Sequence, residues 1–186
     1  MFVKTIICYI NRTLDYGLWY PYDSSLMIVG YSDVDWARHV KDRKNTFGAC
    51  FFFIGDCLVA WYSKKQNSIS LFTAKTEYIV DGSYCKQLLW MKQMLKDYGI
   101  EQETICIHYD NSSAIYISKN LVLYFHIEHI EICHHFISDL VEEKVISLKF
   151  VPTKHQLADI LTKPLDSFRF EYLRKSLGIC LIDESP

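Results

Sequence analysis

The chain opens with an apolar-rich stretch whose spacing predicts a short amphipathic helix from Phe2 to about Tyr9, then an aromatic segment, Tyr16-Gly-Leu-Trp-Tyr-Pro21. Residues 1–25 are too few to fold alone and read as an attachment. From Leu26 the pattern changes to short apolar runs of strand length, at Leu26 to Asp33, Phe47 to Ile54 and Cys57 to Ser63. Gly55-Asp56, between the last two, is a two-residue turn signal for an antiparallel hairpin.

A helical period follows from about Ala74 to Asp97, where Tyr84, Leu88, Met91 and Leu95 fall on one face. The same row, continued toward the N-terminus, reaches Asp81 and Glu77, and so predicts a carboxylate in the first turn on the face turned to the sheet. Thr104 to Asp110 alternates as a strand, Asn111 to Ser113 starts a short polar helix, and a longer helix is expected from about Ile127 to Glu143. Val145 to Val151 reads as a further strand, stopped by Pro152. Helices over Lys154 to Leu161 and Phe168 to Leu177, separated by Pro164, complete the pattern. Strands alternating with helices predict an α/β fold, with a domain over 26–178 and a tail over 179–186.

Composition changes this picture only in places. Half of the 186 residues are apolar, enough for one domain with a real core. A formal net charge of -2 excludes a protein that grips nucleic acid by bulk charge alone. The seven cysteines form no Cys-x-x-Cys pair and no regular spacing, so neither a disulfide framework nor a cysteine zinc site is indicated. A reducing compartment, cytoplasmic or nuclear, is expected. Lys4 interrupts the apolar start and no small-residue cleavage site follows, so secretion is not expected. No stretch approaches a membrane span.

Four acids stand at the punctuation points of the pattern: Asp33, Glu77, Asp110 and Asp159. Asp33 and Asp110 close predicted strands. A crossover helix that made those strands parallel neighbours would set their C-terminal ends side by side, where open α/β sheets place their sites. Helix-borne Glu77 and Asp159 would complete the cluster. Carboxylates gathered this closely repel unless cations neutralise them, and hard oxygen ligands suit Mg²⁺ or Mn²⁺. Such ions serve phosphodiester cleavage, so the pattern suggests a nuclease. Each acid also has a plainer reading: Asp110 as a helix cap, Asp33 as a turn residue, Glu77 as a first-turn acid favoured by the helix dipole, and Asp159 on a solvated face. Asp35 shares a strand face with Asp33 and competes for its position.

From Leu14 to Leu177 the chain resembles the ribonuclease H region of the Pol polyprotein of copia-type LTR retrotransposons. The residues that carry the resemblance are Thr13-Leu-Asp-Tyr-Gly-Leu-Trp-Tyr20, Val29-Gly-Tyr-Ser-Asp-Val-Asp-Trp-Ala37, Phe51-Phe-Phe-Ile-Gly55 and Trp61-Tyr-Ser-Lys-Lys-Gln66. They continue with Glu77-Tyr-Ile79, Tyr109-Asp-Asn-Ser112 and Val151-Pro-Thr-Lys-His-Gln-Leu-Ala-Asp-Ile-Leu-Thr-Lys-Pro-Leu165.

The resemblance implies a ribonuclease H-like fold, a five-stranded mixed sheet flanked by helices. It implies cleavage of the RNA strand of an RNA/DNA hybrid with two Mg²⁺ (or Mn²⁺) ions held by Asp33, Glu77, Asp110 and Asp159. Contacts to successive 2′-hydroxyls would tell RNA from DNA, with Thr73, Asn111 and Ser112 as candidates. Lys41, Arg43, Lys44, Lys64 and Lys65 are candidates for the nucleic-acid backbone, or else solvated loop charges. Residues 1–25 resemble the link to a polymerase, which implies a C-terminal fragment of Pol, a polymerase segment as a packing partner for that link, and self-association without one.

The chain departs from the family pattern in places. Lys75 stands where relatives carry a second glutamate, and Asp81 and Gly82 replace small or apolar residues. His126, Glu128 and Cys133 replace basic residues. These changes weaken the expected grip on substrate and give a catalytically weak or inactive binding relic as the alternative function. His126, His129, Cys133 and His134 form a minor alternative as zinc ligands on a helix face, and His155 is a candidate proton shuttle four residues before Asp159.

Overall fold

The computed structural model describes residues 2–22, 26–35, 46–52, 57–65, 73–112, 115 and 136–184, with backbone alone for 2, 5, 34–35, 46–52, 64–65, 73–83 and 184. Helix α1 (Phe2–Arg12) leads into strand β1 (Tyr16–Leu18). Strands β2 (Val29–Asp35), β3 (Thr46–Phe52) and β4 (Leu58–Lys65) follow, then helix α2 (Thr73–Asp97) and strand β5 (Ile105–Tyr109). A helical stretch over 136–142, α3, precedes strand β6 (Ile146–Phe150). A 3₁₀ turn (Thr153–His155), helices α4 (Asp159–Thr162) and α5 (Ser167–Ser176), strand β7 (Ile179–Leu181) and a final 3₁₀ turn (Ile182–Glu184) complete the order.

The main sheet has five strands in the order β4-β3-β2-β5-β6. β2, β3 and β4 pair antiparallel, whereas β2, β5 and β6 run parallel, so the sheet is mixed. The parallel half needs crossovers, and α2 supplies the one between the antiparallel hairpin and β5. Its buried face, Tyr84, Cys85, Leu88, Met91 and Leu95, packs in one core with Ile105, Ile107 and Ile146 from the sheet, Ile28 just before β2, and Ile137 and Leu140 from α3. Gly99 ends α2 at φ 77, where a left-handed residue is needed. There Gly99 N–H donates to Lys96 O and Ile100 N–H to Leu95 O.

A second, smaller core joins Leu58, Ala158 and Leu177, with Leu18, Val29, Tyr31 and Ile179 packed against it. Here β1 pairs antiparallel with β7, a two-stranded ribbon separate from the main sheet. Trp19 N–H donates to Gly178 O at 2.9 Å, the Tyr20 hydroxyl donates to Leu58 O at 2.8 Å, and the Arg174 guanidinium lies over the Tyr16 ring at 4.8 Å. The leading aromatic segment and the chain's last strand therefore hold each other against the sheet. By contrast, the apolar row of α1, Val3, Ile6, Ile7 and Ile10, is more than half exposed.

Several expected boundaries move, each for a local reason. β2 continues to Asp35 because β3 pairs with it up to Asp35↔Thr46, although its pairing with β5 ends at Tyr31↔His108. Asp33 therefore lies within a strand rather than at its end. α2 begins at Thr73, which puts Glu77 in the second turn; the first turn holds no acid. The helix expected from Lys154 to Leu161 is broken at Gln156, whose backbone is extended at φ -75, ψ 103. Of the helix expected over 127–143, residues 127–135 lie outside the described residues. Among the described residues, no helix is long and apolar enough to cross a membrane, and Cys8, Cys57, Cys85, Cys106 and Cys180 are not joined in disulfides.

Candidate metal centre

The parallel register sets the site. Val29 pairs with Cys106 and Tyr31 with His108, so two steps further along each strand Asp33 comes level with Asp110. Asp159 arrives from the other direction, at the start of α4. Gln156 fixes it there: this fully buried side chain donates to Ser32 O at 2.9 Å, tying the turn before α4 to the strand that carries Asp33. The Ser63 hydroxyl donates to Leu161 O at 3.0 Å and anchors the far end of α4 on β4. Carboxylate oxygens of Asp33, Asp110 and Asp159 consequently lie within 4.8 Å of one another.

Asp33 and Asp159 are buried, and Asp110 is half-buried. Two cations offset part of their charge. Lys163 Nζ stands 3.0 Å from Asp33 Oδ1 and 2.7 Å from Asp159 Oδ1, and the Arg169 guanidinium pairs with Asp159 Oδ2. The Thr162 hydroxyl donates to Asp33 Oδ2. Burial nevertheless pushes the Asp33 carboxyl up to about 6; the Thr162 hydroxyl and the Lys163 charge pull it down, and Asp159 raises it. Burial also acts on Lys163 to lower it, but hydrogen bonds and charge from Asp159 and Asp33 outweigh this and raise its ammonium above the ordinary value. The two partners of one ion pair thus shift in opposite senses of charge. The cause is division: Lys163 is served by two carboxylates, whereas Asp33 has half a lysine against nearly complete burial.

Three hard oxygen donors that converge from three elements and remain short of positive charge fit a divalent cation such as Mg²⁺ or Mn²⁺. The other expected site residues fall as follows. Glu77 lies on α2 in the row that contains buried Tyr84 and Leu88, and Thr73 opens that helix; the side chains of both lie outside the described residues. Asn111 is half-buried and Ser112 exposed, directly after Asp110. Lys64 and Lys65 end β4 opposite Phe47 and Thr46, which pair with Val34 and Asp35. They therefore stand at the acid-bearing end of the sheet, two strands or about 10 Å across from β2. Asp35 is on β2 with its side chain outside the described residues. Lys41, Arg43 and Lys44 lie outside the described residues, as do His126, His129, Cys133 and His134. His155 is exposed, its Nδ1 3.0 Å from the Tyr172 hydroxyl, and it is not part of the carboxylate group.

Sequence reasoning missed Thr162, Lys163, Arg169 and Gln156. One signal was available: Asp159 and Lys163 are four apart, the spacing of a helical ion pair.

Comparison with known proteins agrees with the geometry. No family model matches the chain. It is 30% identical over 177 residues, 95% of its length, to the "Retrovirus-related Pol polyprotein from transposon TNT 1-94" of Nicotiana tabacum. It is likewise 30% identical over 184 residues, 98% of its length, to the Pol polyprotein from transposon RE2 of Arabidopsis thaliana. The chain spans 13% of the length of each of these relatives. Among solved structures, LC11-RNase H1, isolated from compost, superposes with a TM-score of 0.54 at 14% identity, covering 73% of this chain and 92% of that one. That likeness shows the fold alone. With its fold and its sequence relatives in agreement, the chain is a homologue of a segment of the retrovirus-related Pol polyproteins of copia-type transposons and has a ribonuclease H-like fold.

Proposed function

We propose that this chain is a metal-dependent endoribonuclease that hydrolyses the RNA strand of an RNA/DNA hybrid at Asp33, Asp110 and Asp159, with Glu77 as the fourth ligand. The observation that carries the reading is the convergence of three carboxylates, two of them buried, within 4.8 Å, Asp33 and Asp110 from neighbouring parallel strands and Asp159 from α4. Two Mg²⁺ (or Mn²⁺) ions, when bound, supply an activated water and charge neutralisation at the leaving oxygen. The chain's own part is to hold the acids at fixed separation. β2 and β5 do so through their register, and Gln156 does so for α4.

The hybrid substrate follows from the resemblance to the ribonuclease H region of Pol, and the charge on β4 supports it. Lys64 and Lys65 stand at the same end of the sheet as the acids, so a backbone crossing the strand ends meets charge of the required sign. Asn111 and Ser112, which follow Asp110, are the candidates for 2′-hydroxyl contacts. A polymerase segment packed on residues 1–25 belongs to the same reading, and the exposed row of α1 is what supports it.

The test is cleavage of three end-labelled duplexes, RNA/DNA, RNA/RNA and DNA/DNA, by the purified chain in Mg²⁺, in Mn²⁺ and in EDTA. The expected outcome is cutting of the RNA strand of the hybrid alone, abolished by EDTA. Hybrid binding without cutting, by folded protein in either metal, would select the alternative of an inactive binding relic.

A further inference from the structure

Lys163 is placed to do more than balance charge. It follows α4 directly, and its backbone N–H donates to Asp159 O at 2.9 Å, which fixes where its side chain starts. From there Nζ reaches one oxygen of Asp33 and one of Asp159. Thr162 and Arg169 take the other oxygen of each. Asp110 has no ion-pair partner among the described residues. An ammonium thus already holds one oxygen of each of the two buried acids that would take part in holding a divalent cation.

Three carboxylates this close cannot all stay ionised and buried without a cation. We propose that Lys163 is a resident counter-ion, which holds Asp33 and Asp159 in place while the site is metal-free and yields its position when a divalent cation binds. This rests on the metal-dependent reading above and adds a threshold to it. Lysine suits the role because it is a compact charge on a flexible stem, 18% exposed here, and can swing out to water. The ion displaces a bonded ammonium, so the site fills only above the cation concentration at which that exchange becomes favourable. The acids are also pre-aligned before the ion arrives.

Calorimetric titration of the full chain with Mn²⁺ tests this, together with thermal melts in EDTA and in saturating Mn²⁺. Wild type is compared with Lys163→Gln and Lys163→Arg, and Asp110→Asn shows whether the ion sits at the carboxylates. Removing the ammonium should tighten Mn²⁺ binding by about tenfold, the scale of one partly buried ion pair. Lys163→Gln should melt lower than wild type in EDTA and level with it in saturating Mn²⁺, whereas Lys163→Arg, which keeps the charge, should stay close to wild type in binding. A Lys163→Gln protein that folds only with Mn²⁺ would support the proposal equally. Unchanged or weaker Mn²⁺ affinity in Lys163→Gln would overturn it, as would the same loss of melting temperature with and without the ion, or failure to fold even in Mn²⁺. Wild type that binds no Mn²⁺ in an Asp110-dependent way would instead sink the metal reading, and this proposal with it.

Discussion

Asp33 shows how burial and charge compete within one side chain. Its carboxyl, ordinarily near 3.8, is pushed up to about 6 mainly by desolvation. Between those values the folded protein holds a proton that the unfolded chain has released, so this group's contribution to stability falls as pH rises from about 4 to 6, and the cost is complete above that window. In EDTA, melting temperature should therefore carry a declining component across this range that is absent in Asp33→Asn. A bound divalent cation favours the ionised form and should remove the decline. Melts at half-unit pH steps, with and without Mg²⁺, measure both; a wild type and an Asp33→Asn with parallel pH profiles would refute the burial argument. None of this was legible in the sequence. Asp159 alone reads as a solvated acid, yet it is 1% exposed and paired with Lys163 and Arg169. Of its partners, local periodicity announces Lys163, four residues on, but not Arg169.

The elements were more legible than their ends. The row Tyr84, Leu88, Met91 and Leu95 is buried as its spacing requires, since helix periodicity is a direct record of which face meets the core. Strand ends were less readable: β2 outruns its expected stop because β3, not its own sequence, supplies the pairing. The close contact between α2 and β2 gives a sharp test. A Cβ on Gly30 would lie 2.1 Å from the Tyr84 hydroxyl, which is buried and bonded to Tyr31 O at 3.3 Å. Gly30→Ala should cost about 1–3 kcal/mol by overpacking, read as a lowered denaturant midpoint. Adding Tyr84→Phe should recover part of that loss. Gly17→Ala, whose Cβ would meet Ile182 at an ordinary 3.6 Å, should change stability little. Equal effects at both glycines would contradict the packing described.

The fold as a whole joins two kinds of construction. The parallel half brings Asp33 and Asp110 level, and the α4–α5 segment, pinned to β2 and β4, adds Asp159. Asp110 follows the end of its strand as expected, whereas Asp33, expected at a strand end, lies two residues inside β2. The third was expected on a helix that completes the cluster; of the cations that neutralise it, Lys163 carried a local signal in its i,i+4 spacing, whereas Arg169 acts through tertiary position. The most direct test compares wild type with Asp110→Asn in Mg²⁺-dependent cleavage of an RNA/DNA hybrid, with melting curves on both proteins. A cluster that acts through its ions should lose about 10²-fold or more of the cleavage rate in the variant, with the fold retained, because Asp110 makes no ion pair among the described residues. Equal cleavage by both folded proteins, or cleavage that persists in EDTA, would contradict a metal-dependent centre at these carboxylates.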